Sequence, residues 1–158
     1  KNIDGLYTLQ KLESFGVHQE RPPIAFDRLP ALRQMVWMHR PRDSGVESLS
    51  LERLNHWRYA PTQRSFANLR LPETLQSLGL FWCNADSLAG FPALPKLRSL
   101  EIARCRNLSS LTELPDLFPA LEHLVISACG RMSAEEGDRL VALMPGLKHA
   151  FVQTRVVT

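Results

Sequence analysis

Cysteine is scarce and poorly placed for cross-linking. Cys83, Cys105 and Cys129 stand 22 and 24 residues apart, with no CxxC pair and no compact Cys/His cluster. A disulfide framework and the usual zinc-ligand spacings are therefore excluded, and a reducing compartment such as the cytoplasm is favoured. Lysine is scarcer than arginine: only Lys1, Lys11, Lys96 and Lys148 stand among the 19 basic residues. The formal charge is only +3 and the arginines are scattered, a poor footprint for nucleic acid. No apolar run approaches the length of a membrane span. No G-x-x-x-x-G-K-[ST], H-E-x-x-H or G-x-S-x-G motif is present, so neither a phosphate loop, a zinc-protease site nor a nucleophile elbow is indicated. No cofactor or metal site is expected. The chain opens on Lys1 rather than Met and shows no signal peptide, and it reads as a fragment of a larger protein. With 158 residues, 44% of them hydrophobic and 22% charged, residues 1–158 are expected to form one ordered domain.

What the chain has in abundance is leucine, and the leucines repeat. LPETLQSLGLFWC, LPKLRSLEIARC and FPALEHLVISAC align with apolar residues at positions 1, 4 and 6 and cysteine at position 9. The three sets are Leu75, Leu78, Leu80, Cys83; Leu97, Leu100, Ile102, Cys105; and Leu121, Leu124, Ile126, Cys129. Weaker copies follow the same spacing: Leu12, Phe15, Val17, Glu20; Leu32, Met35, Trp37, Arg40; Leu54, Trp57, Tyr59, Thr62; and Leu147, Ala150, Val152, Arg155. Position 4 then falls at residues 15, 35, 57, 78, 100, 124 and 150, at spacings of 20 to 26 residues. Leu49 and Leu51 also alternate, but Leu49 follows Met35 by only 14 residues, so both are assigned to the return path.

Positions 4 and 6 share a face because a strand repeats every two residues. Positions 3, 5 and 7 face the other way. Most of the 11 prolines fall between these segments, where no ladder needs their missing N–H. The pattern predicts about seven stacked parallel strands, an α/β solenoid about 30 Å long at strand spacing.

Units of the form LxxLxxLxLxxCxxL resemble the leucine-rich repeat family, over about residues 9 to 155. The resemblance implies a right-handed solenoid whose short strands line a concave face. It also implies that Cys83, Cys105 and Cys129 face inward as a structural row, reduced and poorly reactive. The convex side is expected to be irregular or 3₁₀, since Leu108, Leu111, Leu114 and Leu117 recur every three residues. One helix is expected at about 134 to 144, opened by a capping box at Ser133 and Glu136, with an apolar stripe of Leu140, Val141, Leu143 and Met144. Gly137 weakens that helix. The helix and the Phe151, Val152, Val156, Val157 segment serve as a C-terminal cap, and Ile3, Leu6, Tyr7 and Leu9 as a short N-terminal one.

The register also names the outward residues. His56, His123 and His149 fall at position 3, and Arg58, Gly79 and Glu101 at position 5. Phe81 and Trp82 stand outside the core positions of a near-consensus unit, and an exposed aromatic pair marks a binding surface. Gly79 is expected to open a depression between Arg58 and Glu101, with Met38 and His39 extending the patch. The partner-binding set is thus Phe81, Trp82, Arg58, Glu101, Met38 and His39. No catalytic residue is expected. The rival reading is an enzyme centred on Cys105, whose thiol stands between Arg104 and Arg106.

Cysteine-type units, LP segments and arginine bias look like two groups of leucine-rich repeat proteins. One is the repeat domain of effectors that plant-pathogenic bacteria deliver into the host cytosol, some resembling ubiquitin ligases in which the repeats select substrate. The alternative is the repeat region of cytosolic plant immune receptors. Either implies a protein–protein interaction module with a protein partner.

Overall fold

The computed structural model describes residues 2–130, 132–153 and 155–156; Thr154 and Val157 lie outside the described residues. Seven short strands pair in chain order, each parallel to the next: β1 (Ser14–Val17), β2 (Gln34–Met38), β3 (Arg53–Trp57), β4 (Ser77–Phe81), β5 (Ser99–Ala103), β6 (His123–Ser127) and β7 (His149–Val152). A two-residue strand, β8 (Arg155–Val156), then pairs antiparallel with Phe151 and Val152. The fold is α/β, one sheet of seven parallel strands with few helices, wound as a solenoid-like coil.

The backbone locks each turn of the coil to the next in the same way. The carbonyl of Glu13 accepts from the N–H groups of Arg33 and Gln34, that of Arg33 from Glu52 and Arg53, and that of Glu52 from Gln76 and Ser77. Gln76, Arg98 and Glu122 repeat the arrangement. Two rows of side chains enter the core from the sheet. Met35, Leu54, Leu78, Leu100 and Leu124 stack at position 4, and Trp37, His56, Leu80, Ile102 and Ile126 at position 6, all buried. Each buried leucine contributes roughly 1.5–3 kcal/mol by leaving water. The opposite wall holds a row of phenylalanines absent from the sequence expectations. Phe66, Phe91 and Phe118 meet edge to face, at centroid distances of 4.8 and 5.6 Å.

The third unit corrects the sequence register. Leu54, not Trp57, pairs with Met35 and Leu78. Position 1 is therefore Leu51, which is fully buried rather than on the return path, position 6 is His56 and position 9 is Tyr59. His56 is a core residue, not an outward one, and Arg58 moves from position 5 to position 8. His123 and His149 do lie side by side and exposed on β6 and β7.

The back of the coil is largely irregular, with 3₁₀ turns at Phe26–Arg28 and Val46–Ser48 and another at Asp4–Thr8. Leu108, Leu111 and Leu114 are buried as their three-residue period suggests, but Leu114–Leu117 closes as one α-helical turn, α1. Helix α2 (Ala134–Leu143) starts where Ser133 Oγ accepts from the Glu136 N–H at 3.3 Å. Leu140 and Met144 are buried, whereas Leu143 is 64% exposed and leaves the expected stripe. Gly137 has a packing reason: a Cβ there would lie 2.9 Å from Val152 Cβ, so glycine lets the helix rest on β7. At the other end Ile3, Leu6 and Tyr7 pack partly buried against the core, while Leu9 is half exposed.

Candidate functional site

Four turns of the coil leave their strands through residues of one conformation. Arg58, Trp82, Arg104 and Ala128, all at position 8, have φ of +60°, +53°, +59° and +52°. None is glycine, although a left-handed conformation costs such residues about 1–2 kcal/mol. The compensation is visible in the backbone. The N–H groups of Arg58, Trp82 and Arg104 donate to the carbonyls of Phe81, Ala103 and Ser127 on the next strand, at 2.8, 3.0 and 3.0 Å. The left-handed turn then sends position 9 inward, which buries Tyr59, Cys83, Cys105 and Cys129.

This geometry sets an aromatic cluster on the open face and edge of the sheet. Trp57 at position 7 of β3 stacks on Phe81 of β4 with centroids 4.6 Å apart. It also meets Trp82 at 4.9 Å, and the Arg104 guanidinium lies over the Trp82 ring at 5.1 Å from its centroid. Trp82 remains 41% exposed. Met38 stands opposite Trp57 on β2, and Val36, 41% exposed, continues the apolar strip. Trp57 Nε1 is buried without an acceptor among the described residues.

Of the residues named from the sequence, Phe81, Trp82 and Met38 share this surface. Arg58 joins it from the position-8 row beside Trp82, and its guanidinium donates to Gln19 Oε1 at 3.2 Å. Glu101 is exposed on β5, across from Gly79. The expected depression at Gly79 is absent: a Cβ there would lie 2.4 Å from the Phe81 ring, so that ring lies across the glycine and fills the space. Trp57 and Arg104 were not in the sequence-derived binding set. Reading Leu51 and Leu54 as positions 1 and 4 is the signal that places Trp57 outside the core.

His39 goes elsewhere. Its Nδ1 lies 3.2 Å from His56 Nε2, and its ring meets Tyr59 edge-on at 4.8 Å. His56 is stacked on Trp37, and Trp37 Nε1 donates to Asp43 Oδ2 at 2.8 Å. Arg21 grips both oxygens of the buried Asp43 carboxylate, at 2.7 and 2.5 Å. Burial holds the His39 ring below its ordinary pKa, and burial followed by the His39 charge drives His56 well below it.

The three cysteines are buried and unpaired with one another. Cys105 Sγ lies 3.6 Å from the Ala103 carbonyl, and Cys129 Sγ 3.5 Å from that of Ser127. The Cys129 thiol beside Cys105 favours its ionisation, but the Cys83 thiol and burial outweigh it and push Cys105 up to about 12. Such a thiol is a poor nucleophile near neutral pH. Among the described residues, no group of three or more His, Cys, Asp or Glu is arranged to hold a metal ion, and no helix is long and apolar enough to cross a membrane.

No family model matches the chain, and neither a curated protein nor a solved structure does.

Proposed function

We propose that this chain is a protein-binding module of the leucine-rich repeat type, which takes its partner on the open face of the sheet around Trp57, Phe81 and Trp82. The carrying observation is Trp82, 41% exposed yet held in place between Trp57 and the Arg104 guanidinium. An aromatic side chain fixed in advance loses little rotamer freedom on binding, and such residues dominate interface energetics. Arg58 and Glu101 supply charges of opposite sign at the edges, which steer association rather than set affinity. The same repeats select substrate for a bacterial effector in the finer form of this reading. Its support is compositional: a lysine-poor surface suits a module held beside a ubiquitin ligase. The immune-receptor form rests on the same resemblance.

Recovery of a partner from host-cell extract tests the assignment. Phe81→Ala with Trp82→Ala, compared with the native chain at matched stability, should weaken binding by about thirtyfold, the equivalent of ~2 kcal/mol for one anchoring aromatic. Equal recovery by the two proteins would overturn it.

A further inference from the structure

Beside the aromatic patch, where the second and third turns of the coil leave their strands, an open cleft of about 430 Å³ carries a chemistry of its own. Trp37, His39, Asp43 and Tyr59 form its inner wall, and Arg40 and Arg70 stand at its rim. The one carboxylate among its lining residues is already saturated. Asp43 Oδ1 accepts from Arg21 and from the Ile24 N–H, and Oδ2 accepts from Arg21 and Trp37. A carboxylate has about four acceptor sites, so none is left for a ligand. Its charge is cancelled by Arg21, which makes the pair neutral towards the cleft.

The donors are not saturated. Arg40 and Arg70 each bond only backbone carbonyls: those of Gln19 and Arg21 for Arg40, and those of Ala67 and Leu69 for Arg70. Neither has a carboxylate partner among the described residues, and each guanidinium keeps further N–H groups. Tyr59 is 4% exposed, yet its hydroxyl has no hydrogen-bond partner among the described residues. Burial holds that phenol in its protonated, donating form. His39 adds a fourth group. His56 Nδ1 is buried without a partner. The tautomer that avoids a buried orphan N–H puts the His56 proton on Nε2, donating to His39 Nδ1. His39 then carries its own proton on Nε2, the ring nitrogen without a protein partner. A concave site lined by two guanidiniums, a phenol and an imidazole N–H, with its only acid neutralised, selects for negative charge.

We propose that this cleft is a binding site for an oxyanion, a carboxylate or a phosphate group, held by Arg40, Arg70, the Tyr59 hydroxyl and His39 Nε2. The site is separate from the sheet-face assignment and stands or falls without it.

The test uses the whole chain, with inorganic phosphate and N-acetyl-aspartate methylamide as probes, followed by calorimetry and by the ring signals of His39. Saturable one-to-one binding that moves the His39 ring and leaves His123 in place is the expected result. Tyr59→Phe keeps the ring against Phe66 and removes only the hydroxyl, and Arg70→Gln alters an exposed side chain. Each should weaken the bound probe by about tenfold, while Arg98→Gln leaves it unchanged. Preference for phosphate identifies a phosphoryl ligand, and preference for the aspartate derivative an acidic peptide; both support the site. Absence of saturation by either probe up to about 20 mM, or equal affinity in the native, Tyr59→Phe and Arg70→Gln chains, overturns it.

Discussion

The imidazole of His56 lies flat on the indole of Trp37, with ring centroids 4.3 Å apart and planes 9° from parallel. It occupies the position-6 row between Trp37 and Leu80, where solvent does not reach and its polar contact is His39 Nδ1. A charged imidazolium has no counter-ion there, so the folded state holds the ring neutral.

Stability should therefore fall as the medium is acidified, in a window set by these two rings. The folded pKa values of His56 and His39 lie below the ordinary 6.5. Between the folded value and 6.5 the unfolded chain binds more protons, so stability is full above about pH 6.5 and is lost as pH falls below it. The slope approaches about 1.4 kcal/mol per pH unit for each histidine. Urea midpoints between pH 7.5 and 5 should decline in the native chain and decline less in His56→Leu, whose side chain matches Leu80 in the same row. Parallel declines would show that His56 does not carry the effect.

A second acid-sensitive step belongs to Asp43. Burial alone would push its carboxyl up, but the hydrogen bonds from Arg21, Trp37 and Ile24 outweigh it and hold the group below its ordinary 3.8. Its contribution is present above about pH 3.8 and lost as pH falls through the folded value, well separated from the histidine step. Asp43→Asn leaves the Arg21 charge, 11% exposed, without its counter-ion and should cost about 3 kcal/mol in denaturant unfolding at pH 7. A loss under 1 kcal/mol would mean that solvent replaces the carboxylate.

The left-handed turns predict a gain of stability. Ala128 is exposed and has φ +52°. Glycine relieves the left-handed cost of about 1–2 kcal/mol and gives back part of it through unfolded-chain entropy. Ala128→Gly should raise stability by about 0.5 kcal/mol, and Ala128→Val should lower it by more than about 1 kcal/mol because a β-branched residue is worse still at positive φ. The reverse ordering in thermal melts would contradict the conformational argument.

Thiol chemistry should report unfolding rather than function. Cys83, Cys105 and Cys129 are each no more than 4% exposed. A thiol reagent at neutral pH should label none of them within minutes in the native chain and all three in urea. Cys105→Asp should destabilise by roughly 2 kcal/mol or more, since it buries a charge among leucines. Fast native labelling of Cys105 would reopen the enzyme reading.

The near-consensus units show how much was legible beforehand. Leu78 and Leu80, Leu100 and Ile102, and Leu124 and Ile126 announce their pairing because a two-residue period is a property of each strand alone. Ser133 and Glu136 announce the helix for the same reason: a cap is a local hydrogen bond. Residues 51 to 59 did not declare their frame. Leu54, Trp57 and Tyr59 fit the apolar pattern better than Leu51, Leu54 and His56, because histidine is polar.

The ladder of parallel strands and the helix near the C-terminal end were legible in the residues alone, since each follows from short-range spacing and side-chain polarity. The inward cysteine row was implied only by the family resemblance, and the left-handed turn at position 8 brings it about. The tertiary structure decided what no single unit could. Trp37 below and His39 beside it make His56 an acceptable core residue, which slides Trp57 out to the sheet face against Phe81. Phe81 closes over Gly79 because glycine leaves room and Trp57 gives the ring something to stack on. The cleft presents no free acid because Asp43, from the return path of the second turn, is saturated by Arg21 from the first. Such choices depend on contacts across neighbouring turns of the coil, roughly twenty residues apart in the chain, and the energies that settle them arise only once the turns are stacked.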